Sequence, residues 1–478
     1  MGVKELKNNL FIKSQKLLKE IEQKKDIFIF TNSTVDGVIS GSIILKSIFN
    51  NIGNATIRCT PEKFENTIDE IIHEKHDFYI FTDFNSDIIE NINKIFNDGN
   101  FLFINTDVIK KSNNTNIYEN IVNPWLYNVN GREEISSAGL AYFLIKNFDR
   151  NSNNISYLPI ISAISKDQDK GENRSLIGLN NEILQASLKS NIIEQKKRLN
   201  ISEKETTPIS NILVNNIIHF IKEITWNNKA SLRIITDSHI PINTNGKTIL
   251  FNELDEKEFL RLYESVAKFL QENSELKDHI IKDLIYGFSY ILINEENEGF
   301  LKNARSFVKV LELCLNAHKS GLALSLCLGE RGEILKDVYD IVIKYNNLIK
   351  KTINQLFGEK WRFYDDKETI FINGEGILDT HNVISFISFL QNSVSFADRL
   401  ICLRILDSDE YYKFIITKTK FCNLDLINLK EKIKQTFDKE DIKIIDNNKL
   451  EIRIPISNLE DFLSNIKKII INEKIPSS

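Results

Sequence analysis

The sequence predicts a mixed α/β chain: a mostly parallel sheet with helices on both faces, then a helical middle region, then a smaller α+β domain. Three observations lead there. Short apolar runs alternate with helical patterns over the first 190 residues or so. The period then becomes helical from about residue 196 to 365, and patterning turns mixed again from about 366. Strands that alternate with helices imply parallel pairing, because each crossover lays a helix on the sheet. The domain boundaries expected are therefore 1–195, 196–365 and 366–478.

The elements follow in order. "DIFIFT" is strand-like and "VISGSIILKSIFN" helical; "ATIRCT" is a second strand and "FENTIDEIIHEK" a helix. "DFYIFTDFN" is a third strand, "DIIENINKIF" a helix and "NFLFINTD" a fourth strand. In such a sheet, ligands bind outside the carboxyl ends of the strands. Acids and amides cluster there: Asp36 beyond the first strand, Asp83 after the third, Asn105 and Asp107 after the fourth. Next, a polar turn at Gly131–Glu134 precedes a small-residue helix start, where Ser136 and Ser137 read as caps. The middle region is helical except for "KASLRIITDSHIPINTNGK", which reads as an insertion or linker. In the last part "RLICLRILDS", "YKFIITKTK" and "KLEIRIPI" are strand-like, while "LINLKEKIKQTF" and "LEDFLSNIKKII" are helical.

Bulk properties exclude several classes. With 42% hydrophobic and 27% charged residues the chain can fold into packed domains. A net charge of -5 argues against wholesale coating of nucleic acid. No run is long and apolar enough for a membrane span, and the start reads as an amphipathic helix rather than a signal peptide. The five cysteines form no CxxC pair and read as buried thiols of a cytoplasmic, nucleoid-associated protein. His73 and His76 read as surface histidines at a helix end, and "KDQDKGENRS" as a solvated turn lacking the spacing of a calcium loop. Lys196, Lys197 and Arg198, with Arg305, are the candidates for contact with DNA, against the plainer readings of a solvated helix face and helix packing.

The order of these pieces resembles the DHH phosphoesterase superfamily, and within it the archaeal RecJ-like proteins. That group includes GINS-associated nucleases and the RecJ-derived subunit of the CMG replicative helicase. The resemblance rests on "TNSTVDGVISGSIIL", "FTDFN", "INTD", "VNPWLYNVNGREEISSAGLAYFLI" and "ISAISKDQDKGENRSLIGLNNEIL", and continues through "ARSFVKVLELCLNAHKSGLALSLCLGER" and "NGEGILDTHNVISFISFLQNS". It implies a DHH-type sheet domain and a DHHA1-like C-terminal domain.

Active members of that family hold two manganese ions with a His-x-Asp-x-Asp loop, a second-strand Asp, an Asp-His-His triplet and a later Asp. Carried over by position, the first motif here is Asn32, Thr34 and Asp36. Asp83 is kept, the triplet is Asn105, Thr106 and Asp107, and the later Asp is Lys166. Three carboxylates and one ammonium leave a formal charge of about -2, short of what two divalent ions need. Neutral amides and hydroxyls are also poor manganese ligands. The glycine-rich segment of active relatives corresponds to "DIKIIDNNKLEIRIP", which has neither glycine nor histidine.

The resemblance therefore implies a degenerate member without catalytic residues or cofactor. Its expected role is a scaffold of the archaeal replicative helicase that meets the GINS complex and the MCM helicase and contacts single-stranded DNA. The alternatives are an active manganese-dependent, single-strand-specific 5'–3' exonuclease, and a small-nucleotide phosphodiesterase or sensor.

Overall fold

A computed structural model of the chain describes residues 2–60, 75–96, 99–109, 118–201, 204–215, 220–273, 276–365, 369–437, 441–446 and 448–474. The chain divides into two compact units, Met1–Thr206 with Gly287–Val342, and Thr207–Tyr286 with Ile343–Ser478.

The first unit is built on a five-stranded parallel sheet in the order β2-β1-β3-β4-β5. Its strands are β1 (Asp26–Asn32), β2 (Asn54–Thr60), β3 (Phe78–Thr82), β4 (Phe101–Ile104) and β5 (Ile121–Val122). The four strands expected from the sequence are present, and the short β5 adds an edge. Every residue of β3 and β4 is buried, as a strand covered on both faces requires. One face carries an aromatic-rich core of Phe28, Phe30, Tyr79, Phe81, Phe101 and Phe103 over Ile89 and Ile92 of the helix Ile89–Ile95. The other is covered by the helix Val35–Asn50, which packs against the helices Ser137–Ile145, Tyr157–Ser165 and Ser320–Leu328. Val35–Asn50 is buried almost all round, so its Ser40 and Ser42 hydroxyls donate back to the carbonyls of Gly37 and Val38.

The strand order reverses between β1 and β3. In an open α/β sheet that switch point leaves a crevice at the carboxyl ends of the two strands. Asp36 and Asp83 stand just beyond those two ends.

Further along, Ile193–Leu199 is a strand, β6, paired with β9 (Tyr286–Leu292). The basic run Lys196–Arg198 therefore lies on a strand, not on the helix face expected from the sequence. The helix Ala304–Asn316 packs on Tyr157–Ser165 and Val35–Asn50.

In the second unit, the segment read as a linker is ordered: the helix Asn228–Asp237 leads into a small hairpin of β7 (Asn243–Thr244) and β8 (Lys247–Thr248). The helices Glu256–Asn273 and Asp278–Ile285 follow. The C-terminal part holds a six-stranded sheet in the order β10-β11-β12-β13-β15-β14. These strands are β10 (Phe363–Asp365), β11 (Thr369–Asn373), β12 (Leu400–Ser408), β13 (Tyr411–Lys418), β14 (Asp441–Asp446) and β15 (Lys449–Pro455). Of these, β11 and β12 pair in parallel; the other pairs are antiparallel. Alternate residues of β13 and β15 (Phe414, Ile416, Leu450, Ile452, Ile454) face a core completed by Leu429 and Ile433 of the helix Leu426–Thr436 and Phe462 and Ile466 of the helix Leu459–Lys474.

Candidate functional site

The turn after β1 sets the site. Thr34 caps the helix Val35–Asn50, its hydroxyl accepting from the Gly37 amide at 2.9 Å. Gly37 is required there, since an added Cβ would stand 2.3 Å from the Asn32 carbonyl oxygen. Asp36, one residue into the helix, is only 2% exposed and accepts from four groups. The amides of Ser137 and Ala138 reach its Oδ2 and Oδ1 at 3.0 and 2.8 Å. Ser162 Oγ donates to Oδ1 at 2.6 Å, and Lys166 Nζ lies 3.3 Å from Oδ2. The two amides are the first of the helix Ser137–Ile145, so the carboxylate sits on a positive helix end. Ser136 is that helix's cap, accepting from the Gly139 amide at 3.0 Å. Burial works against charging Asp36, but Lys166, Ser162 and the two amides outweigh it and hold the carboxyl below its usual range.

Asp83 follows β3 in the left-handed region, with φ of 59°, a conformation that costs a non-glycine residue free energy and turns its side chain back over the strand ends. Thr34 Oγ1 donates to its Oδ2, and Ser137 Oγ to its Oδ1 at 2.9 Å. Lys166 Nζ is 3.4 Å from that same oxygen. Asn32 Nδ2 donates to the Asp83 carbonyl at 3.0 Å. Burial pushes the Asp83 carboxyl up to about 7, with Asp36 adding to it and Lys166, Thr34 and Ser137 opposing.

Lys166 ends the helix Tyr157–Ser165, four residues after Ser162, so both face Asp36. Its ammonium also lies 3.3 Å from Thr106 Oγ1 and thus meets residues following β1, β3 and β4. Burial disfavours the ammonium, but Asp83, Asp36 and Asp107 raise its pKa well above the ordinary lysine value. Asp107 is half-buried; burial raises its carboxyl, as do Asp36 and Asp87, against Lys166 and Arg132.

Asn105 is buried and structural: its Nδ2 donates to the Phe84 carbonyl at 3.2 Å and its Oδ1 accepts from Asn123 Nδ2 at 2.7 Å. The Thr106 carbonyl accepts from Trp125 Nε1 at 2.8 Å. Gly131 packs against that same carbonyl, where a Cβ would come within 2.5 Å. Gly131→Ala should therefore destabilise the first unit by about 1–3 kcal/mol, visible as a lower urea midpoint. A midpoint equal to that of the parent would mean the turn gives way freely.

The segment after Lys166 departs from the sequence reading. "KDQDKGENRS" is solvated only in part: Asp167, Lys170 and Glu172 are exposed, while Gln168, Asp169 and Arg174 are buried. Gln168 is fully buried and donates to the carbonyls of Gly131 and Ile135, both at 3.0 Å, fixing the turn before the helix Ser137–Ile145. Asp169 is buried under two guanidinium groups, Arg174 at 2.8 Å and Arg305 at 2.5 Å. Arg305 is itself buried, so its assignment to DNA contact is corrected: its charge is spent on Asp169 inside the unit. Arg198 is corrected in the same way. It is 1% exposed and makes a two-pronged ion pair with Glu205 at 2.6 and 2.7 Å. Lys196 is exposed, 3.1 Å from Glu194, and Lys197 is half-buried. His76, read as a surface residue, packs on Phe28 and meets Asp26 at 2.7 Å; His73 lies outside the described residues.

The structure thus brings Asn32, Thr34, Asp36, Asp83, Thr106 and Lys166 together and leaves Lys196, Lys197, Arg198 and Arg305 elsewhere. Sequence reasoning missed Ser137 and Ser162 as donors to the carboxylates. The signal was there: Ser162 precedes Lys166 by one helical turn. Among the described residues, no group of three or more His, Cys, Asp or Glu is arranged to hold a metal ion. No described helix is long and apolar enough to cross a membrane.

No family model matches the sequence, and no curated protein matches it either. Solved structures do match. CDC45 from Entamoeba histolytica aligns over 96% of this chain and 99% of its own, with a TM-score of 0.64 and 13% identity. RecJ from Thermus thermophilus, in complex with Mn2+, aligns over 97% of this chain with a TM-score of 0.53 and 10% identity; the chain spans about half of it, 54%. A DHH domain from a member of a ribosomal-protein family aligns over 99% of this chain and 92% of its own, with a TM-score of 0.50 and 9% identity. The fold is the RecJ-like DHH fold. At these identities the likeness is one of architecture, and that architecture extends over nearly the whole chain, DHH-like sheet and C-terminal sheet alike.

Proposed function

We propose that this RecJ-like chain binds and does not cut: a non-catalytic scaffold subunit of an archaeal replicative helicase, working at the nucleoid. In this reading Asn32, Thr34, Asp36, Asp83, Asn105, Thr106, Asp107 and Lys166 are the positions of a former metal site. The partners are the GINS complex and the MCM helicase, with single-stranded DNA as a further contact.

The observation that carries the reading is the placement of Lys166 Nζ, 3.3 Å from Asp36 and 3.4 Å from Asp83. Two-metal catalysis needs carboxylate lone pairs free to bridge cations. Here both oxygens of Asp36 already accept from protein donors, and an ammonium stands between the two acids. The residues therefore do not fit a manganese pair. The likeness to CDC45 over almost the full length of both chains supports a place in DNA replication rather than in degradation.

The test is digestion of 5'-labelled single-stranded DNA by the purified protein with manganese. The expected result is no nucleotide release above that of Asp83→Ala. Release that disappears in Asp83→Ala would establish the exonuclease instead. Co-purification with GINS and MCM is the expected companion result.

A further inference from the structure

Resting on that reading, we propose that Lys166 is a tethered cation: its ammonium does the electrostatic work of a metal, so the strand ends hold together with none bound. The same pocket, emptied of the ammonium, would accept a small organic cation.

Three features of the geometry carry this. First, Lys166 does not make a single pair. Its Nζ lies 3.3–3.4 Å from oxygens of Asp36, Asp83 and Thr106, which follow three different strands. A bound ion at a sheet edge gathers ligands from several strand ends in the same manner. Second, the lysine is held in place along its own length. It follows Ser162 by one turn, and Ser162 Oγ grips the same Asp36 at 2.6 Å. Beyond it, Asp167 turns in the left-handed region and Gln168 is anchored to the Gly131 and Ile135 carbonyls. The side chain is delivered to one spot and does not sweep a surface. Third, without this ammonium Asp36 and Asp83 would face each other across shared donors, Ser137 serving both. Two carboxyl groups so close can both ionise only with a positive charge beside them; without one, a proton stays on one of the pair.

The chemistry accepted is specific. A primary ammonium offers three N–H donors to three oxygens and carries one charge. A divalent ion would have to enter beside that ammonium and compete with the two amides and the Ser162 hydroxyl already bound to Asp36.

The test compares thermal melting of the full chain in EDTA, in manganese and in ethylammonium chloride, with sodium chloride at equal ionic strength as the control. For the parent protein, the melting temperature should be the same in EDTA and in manganese, and manganese added to it should keep the paramagnetic resonance signal of the free ion. Lys166→Ala should melt several degrees lower and recover part of that loss in ethylammonium but not in sodium. Lys166→Met, which fills the space without charge, should melt low and show no recovery. A parent protein that is stabilised by manganese or sequesters it overturns the inference, as does a Lys166→Ala variant that melts like the parent or ignores ethylammonium. If Lys166→Ala does not fold, the manganese resonance of the parent still decides. Manganese binding without nuclease activity would remove this inference and leave the scaffold reading standing; manganese-dependent digestion would remove both.

Discussion

Asp169→Ala should destabilise the first unit by about 3–5 kcal/mol, the largest effect expected of any single substitution outside the apolar core. The Asp169 carboxylate lies within hydrogen-bond reach of both Arg174 and Arg305, at 2.8 and 2.5 Å, and all three side chains are buried. Burial and the neighbouring Arg174 already push the Arg305 pKa down, with Asp169 working the other way. For Arg174, burial is outweighed by Asp169 and Asp167, and its pKa is raised. Removing Asp169 leaves two buried guanidinium groups beside each other. Arg305→Met should cost less, about 1–3 kcal/mol, because the Arg174–Asp169 pair survives and the repulsion goes. The urea midpoints of the two variants, followed by circular dichroism, should therefore separate clearly. Equal losses would mean that the carboxylate is not the centre of the cluster. The cluster matters to the candidate site because Asp169 lies three residues beyond Lys166 and ties that segment to the helix Ala304–Asn316.

What could be read from the sequence and what could not divide along physical lines. The strands β1, β3 and β4 were legible because a strand covered on both faces is a continuous apolar run, and the helices between them keep their own period; the edge strand β2 is only partly covered and showed through its β-branched residues and its place between two helical patterns. The placement of Asp36 and Asp83 followed from the carboxyl-end rule for parallel sheets. β6 was not legible: "IEQKKRL" alternates weakly, and its buried Arg198 is neutralised by Glu205, a partner no periodicity reveals. Gln168 and Asp169 were misplaced because polar residues in a polar stretch read as solvated. Arg305, on an amphipathic helix, was read as a contact for DNA, and only its tertiary partner Asp169, 136 positions away, shows that it is inside. The segment 229–247, read as an insertion or linker, holds a ten-residue helix that buries Ser231, Ile234 and Ile235 on one face, and a two-residue-per-strand hairpin too small to give a periodic signal.

The stability of the first unit should fall as pH rises from about 4 to about 7, through Asp83, and Asp83→Asn should remove that part of the slope. The folded chain holds the Asp83 proton up to about 7, because burial and the nearby Asp36 disfavour its charge, whereas the ordinary value is 3.8. Across that window the folded state keeps a proton that the unfolded state has released, so the slope of unfolding free energy against pH is negative. The contribution is fully present below the unfolded pKa, is lost as pH rises to the folded one, and is flat beyond it. A shift of this size corresponds to a few kcal/mol, at about 1.4 kcal/mol per unit. Asp36 works in a different window: its folded pKa is lowered, so its contribution is present above the unfolded value and fades only as pH falls below it. Urea midpoints at about pH 5 and pH 8 should differ more for the parent than for Asp83→Asn, since the amide cannot ionise. Parallel profiles for the two proteins would show that Asp83 does not hold its proton. The physical consequence is local: with Asp36 ionised, Lys166 charged and Asp83 still protonated below about pH 7, these three groups balance to zero, and the charge beside them is that of Asp107.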